Sequence, residues 1–72
     1  MFARRHYQFM ADLMKEERAE ARHIEEQCAL ECLMVSMARK FKRDNPAFKP
    51  ALFLKACGFD DDYADMLARH KV

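Results

Sequence analysis

Backbone punctuation is scarce in this chain of 72 residues. Its first 45 residues hold no glycine, no proline, no threonine and one serine, and the run stops at Asp44-Asn45-Pro46. A stretch so free of turn formers reads as helix. Gly58 is the only glycine, which excludes a glycine-rich loop that cradles phosphate. Cysteine is sparse and odd in number, at Cys28, Cys32 and Cys57, with no apolar signal segment ahead of it. A disulfide framework is thereby excluded, and reduced thiols in a cytoplasmic setting are expected. The longest apolar runs, Cys32 to Val35 and Ala51 to Leu54, are four residues each, against the roughly 20 needed to span a bilayer. Neither sign of charge predominates. Thirteen Lys and Arg against twelve Asp and Glu leave a formal +1 and no overall field to steer polyanions.

What is present is helix with more apolar surface than one small chain covers. A chain of this size buries only about 60% of the surface that its unfolded form exposes, so one domain, residues 1–72, is the limit and a partner is expected. In the first helix Phe2, Ala3, Tyr7, Met10, Leu13 and Met14 fall within about half the circumference, giving one buried side. The polar segment Lys15 to His23 consists mostly of strong helix formers, with pairs such as Arg22 and Glu26 at i,i+4. From Ile24 to Phe41 the pattern broadens. Leu30, Leu33, Met34, Met37 and Phe41 line one side, and Ile24, Cys28, Cys32 and Val35 line another. Such a helix wants neighbours on two sides.

Arg39, Lys40, Lys42 and Arg43 gather at its carboxyl end, where cations complement the helix dipole, and Asn45-Pro46 closes it. Pro50 suits the first turn of a short third helix, Ala51 to Cys57. Gly58 then stands where a left-handed cap belongs, with Phe59 folding back. Asp60, Asp61 and Asp62 supply an N-cap and first-turn acids for a fourth helix, whose apolar face is Tyr63, Met66 and Leu67.

The stretch Asp44-Asn45-Pro46-Ala47-Phe48-Lys49-Pro50-Ala51-Leu52-Phe53-Leu54-Lys55-Ala56-Cys57-Gly58 resembles the carboxyl-terminal signature of a group of small bacteriophage and prophage proteins. In that group an Asn-Pro, an aromatic, a short spacer and then Phe-Leu-x-Ala-Cys-Gly recur. Arg4-Arg5-His6-Tyr7, with Met10 to Met14 behind it, is similar to the group's opening segment. This chain has Lys49 where the group usually has Asp, and a longer stretch after Gly58. The resemblance implies phage origin and a location inside the host cell, with no settled activity.

Chemistry finds little to work with. Thiolates and imidazole are zinc ligands, which makes His23, Cys28, Cys32 and Cys57 the set to weigh. His23, however, lies five residues before Cys28 and so about 140° around the helix, and no C-x-x-C pair exists. Buried cysteines acting as small apolar groups are the commoner case, and neither a metal nor another cofactor is expected. A hydrolase needs nucleophile, base and orienting group, yet the single Ser36 has no histidine at helical spacing, and His6, His23 and His70 are scattered. The carboxylate pairs lie where solvated charge is expected anyway. An enzyme is not expected.

Nucleic-acid binding is the alternative worth weighing. Ala51 to Cys57, Gly58 and Asp61 to Arg69 trace a helix, glycine turn, helix outline, with Arg39, Lys40, Lys42 and Arg43 as phosphate contacts. The turn that would enter the major groove carries Asp60, Asp61 and Asp62, which face a phosphate backbone badly. A small transcriptional regulator of helix-turn-helix type therefore ranks second.

First is protein binding. Six methionines and eight aromatics (six Phe, two Tyr) are generous for this length, and methionine adapts to irregular contacts. If the two-sided helix packs on its own chain with one flank, the other is free for a symmetry mate. Leu30, Leu33, Met34, Met37, Phe41, Ile24 and Val35 are then the interface residues of a homodimer or of a complex with a host factor that is inhibited or redirected. The expected architecture is all-α: a helix to about residue 18, a break near Ala19 to Arg22, a long central helix and two short helices over it. Its rival is one unbroken helix from about residue 3 to 43, about 60 Å long.

Overall fold

The computed structural model describes residues 2–72. Among them are α1 (Arg4–Glu20), α2 (Ile24–Asp44), α3 (Pro50–Ala56) and α4 (Asp61–His70), with no strand. α1 and α2 form an antiparallel hairpin, α3 packs against both, and α4 packs on α3. The unbroken rod does not form. Its length would be about 60 Å, whereas the molecule extends 34 Å along its longest axis.

The bend is won by packing over local preference. α1 ends at Glu20, and Ala21 takes extended backbone (φ −65°, ψ 128°) although nothing in Ala21-Arg22-His23 demands a turn. Folding back there brings Ala11 of α1 and Met34 and Ala38 of α2 into one core, each buried. Burying such side chains outweighs the few tenths of a kcal/mol per residue that helix propensity offers the straight form. Arg22 lies in the break, so the expected helical pair with Glu26 is not formed within a helix.

Local signals set the other ends. The Ala3 N–H donates to His6 Nδ1 at 3.0 Å, half of a capping box, because Ala3 has no side-chain acceptor to give in return. At the far end of α2 the Asn45 N–H donates to the Phe41 carbonyl at 2.8 Å, and Asn45 Oδ1 accepts from the Ala47 N–H at 3.1 Å. Pro46 cannot extend the ladder, so the chain turns. Pro50 occupies the first turn of α3. α3 closes in a Schellman motif: Phe59 N–H donates to the Leu54 carbonyl at 3.1 Å and Gly58 N–H to the Lys55 carbonyl at 3.0 Å. Gly58 there has φ +108°. Asp60 sits at the N-cap of α4, yet its carboxylate makes no capping hydrogen bond. The three aspartates therefore act on the helix dipole and not through a side-chain cap.

Met34, Leu54 and Cys57 are the deepest large side chains, joined by Phe48, Phe53, Phe59 and Leu67. No polar or charged residue is buried among the described residues. The apolar face of α4 is narrower than its sequence suggests: Ala64 and Leu67 are buried, but Tyr63 and Met66 are exposed.

Candidate protein-binding site

The two-sided helix α2 divides its expected interface residues into three groups. Met34 is wholly buried in the chain's own core and is not available to a partner, a correction to its place among the interface residues. Leu30, Val35, Met37 and Phe41 are half-buried against that core. Only Leu33 and Ile24 stand largely in solvent, on opposite sides of the helix, about 180° apart. Sequence reasoning passed over Phe9, which is 68% exposed. It lies next to Leu13 around α1, and its signal was its position outside the buried arc of Tyr7, Ala11 and Met14.

Arg39 and Lys42 of the basic cluster are engaged within the chain. Arg39 Nε donates to the Lys71 carbonyl at 3.0 Å, and Lys42 Nζ donates to the Pro46 carbonyl at 2.6 Å and the Phe48 carbonyl at 3.3 Å. Both tie α2 to neighbouring chain, while Lys40 and Arg43 remain exposed, about 100° and 40° from Arg39 around the helix. The cysteines do not converge either. Cys28 and Cys32 are exposed on α2 and Cys57 is buried under α3. Burial, and then the charge of Asp12, push the Cys57 thiol from 9.0 up to about 12, which keeps it protonated and unreactive. Among the described residues no three His, Cys, Asp or Glu side chains come together as a metal-ligand set. No helix of the described residues is long and apolar enough to cross a membrane.

A concave site does exist where α1 meets the α2–α3 connection. Behind its wall Phe41 is the hub of an aromatic cluster, with ring centroids 5.1 Å from Tyr7, 5.5 Å from Phe48, 5.5 Å from Phe53 and 5.8 Å from Phe2. Edge and tilted contacts of this kind add to simple burial. In front of that cluster lies a cleft of about 410 Å³ walled by Phe2, Tyr7, Phe48, Leu52 and Phe53. Its polar lining consists of Arg4, Lys49, Gln8 and Asn45, with two cations and no carboxylate. Leu52 is exposed at the lip. The Tyr7 hydroxyl is buried without a hydrogen-bond partner. Clefts of a few hundred Å³ with mostly apolar walls and a few placed polar groups are the usual form of a binding site.

No protein family, curated protein or solved structure matches this chain.

Proposed function

We propose that this is a phage-encoded accessory protein that works inside the host cell by binding another protein, inhibiting or redirecting a host factor. The observation that carries this is the aromatic cleft rimmed by Arg4 and Lys49. Its walls take an apolar side chain, and its unopposed cations favour a segment with acidic residues beside that anchor. The resemblance of Asp44 to Gly58 to small phage proteins supplies the biological setting. That signature contributes Phe48, Leu52 and Phe53 to the cleft, so the resembling residues and the concave surface coincide. DNA binding fits less well. Asp60, Asp61 and Asp62 are exposed at the start of α4, where the groove-facing turn of a helix-turn-helix unit belongs.

The test is affinity capture from host lysate with wild type, Leu52→Asp and Lys49→Glu, both changes being at exposed positions. A specific protein retained by wild type and lost by both variants supports the function. A salt-sensitive DNA mobility shift, abolished by neutralising Arg39, Lys40, Lys42 and Arg43, with no protein captured, reverses the ranking in favour of the regulator.

A further inference from the structure

The hairpin has a second face, turned away from α3. Arg4, Tyr7, Gln8 and Ala11 meet α3 across the cleft, and Phe9 and Leu13 lie about 150–180° around α1 from the middle of that set. On α2, Leu33 lies about 140° from the buried Ala38. α3 and α4 are stacked on the other side, so nothing among the described residues covers Phe9, Leu13 or Leu33. Leu13 is 41% and Leu33 47% exposed.

Charge along this face is sorted by end. Glu26, Leu33 and Lys40 recur every seven residues, each about 20° around α2 from the one before. On α1, Arg5 precedes Phe9 by one turn, and Glu16 and Glu20 follow Phe9 and Leu13 at seven-residue spacing. The hairpin is antiparallel, so Glu16, Glu20 and Glu26 share the end near the connection. Arg5 and Lys40 share the open end, where Asp44 also stands.

We infer that this face binds a second copy of the chain, face to face about a two-fold axis that crosses the helices near Leu13 and Leu33. That operator sets α1 against the partner's α1 and α2 against the partner's α2, each antiparallel. It brings the acidic end of one hairpin over the basic end of the other, with Glu26 opposite Lys40 and Arg5 opposite Glu20 across the axis. The other two-fold choice, with the axis along the helices, lays acid on acid and is disfavoured. The apolar centre, Phe9, Leu13 and Leu33, is self-complementary under this symmetry, as an isologous contact requires. A hairpin face about 25 Å long and 20 Å wide covers about 500 Å² per copy, close to the ~1,000 Å² total at which specific interfaces begin. The dimer is accordingly weak, concentration-dependent and sensitive to salt. It leaves the cleft open, on the opposite side, and is independent of what the cleft binds.

Sedimentation velocity of the full chain tests this, with far-ultraviolet circular dichroism to check helicity. Wild type moves with concentration from the 8.5 kDa chain mass toward twice that value, less readily at high salt. Leu33→Glu stays single at every concentration, whereas Ile24→Glu, on the opposite flank of α2, dimerises like wild type. Glu26→Lys and Lys40→Glu each weaken association about tenfold, and the double variant, which restores opposite charges across the axis, recovers it. A wild type that remains single at the highest concentration overturns the inference, as does loss of the dimer in Ile24→Glu with retention in Leu33→Glu. A double variant no better than the two single ones overturns the antiparallel arrangement, whatever Leu33→Glu does to folding.

Discussion

Arg18 on α1 reaches Glu31 on α2 with Nε 2.7 Å from Oε2, and the same guanidinium lies 5.8 Å from the centre of the Phe59 ring. One side chain thus ties together both arms of the hairpin and the turn that follows α3. The pair is partly exposed, at 37% and 28% of its side-chain surfaces, so solvent screens it. Glu31→Gln is expected to cost about 0.5 kcal/mol. Arg18→Ala, which also gives up the stacking on Phe59, costs about 1–1.5 kcal/mol. Urea denaturation of the two variants measures the difference, and equal losses would mean that the Phe59 contact contributes nothing.

Gly58 tests the backbone alone. A Cβ added there meets nothing closer than Lys15 Cγ at 3.6 Å, so there is room for it. The positive φ is what a side chain resists. Gly58→Ala is expected to lose about 1–2 kcal/mol, which lowers the melting temperature by about 5–15 °C in a chain this small. An unchanged melting curve would show that the end of α3 relaxes into another cap.

Cys57 makes stability fall in alkali. Its thiol ionises at 9.0 ordinarily and at about 12 in the fold. The unfolded chain therefore releases this proton first. The contribution is fully present below pH 9.0 and is lost as pH rises toward 12, by at most about 1.4 kcal/mol per pH unit. Cys57→Ala should flatten the stability profile over that window in urea titrations at stepped pH. At mildly alkaline pH a thiol-alkylating reagent should label exposed Cys28 and Cys32 and spare Cys57 until the protein unfolds.

Tyr7 carries an unpaired buried hydroxyl beside the cleft. Removing it in Tyr7→Phe leaves the ring contacts with Phe41 and Phe48 in place and relieves a desolvated polar atom. The variant is expected to be as stable as wild type or up to about 1 kcal/mol more stable. A loss above about 1 kcal/mol would reveal a hydrogen bond that forms in solution.

Residue types at short range settle much of this fold. Asn45-Pro46 stops α2, Pro50 starts α3, and Gly58 ends it with Phe59 turned inward, because proline lacks a donor and glycine alone accepts φ +108° cheaply. Each of those outcomes depends on a few consecutive residues, and the sequence contains them. The break at Ala21-Arg22-His23 has no such local cause. It exists because Met34 and Ala38 bury more surface against Ala11 and α3 than a straight helix would allow. The same long-range packing drew Met34 inside and left Leu33 and Ile24 outside, a choice invisible where a helix is apolar on two sides. The cleft, too, required tertiary structure: Phe2 and Tyr7 come from one end of the chain and Phe48 and Phe53 from the other, and only the folded hairpin brings their rings together.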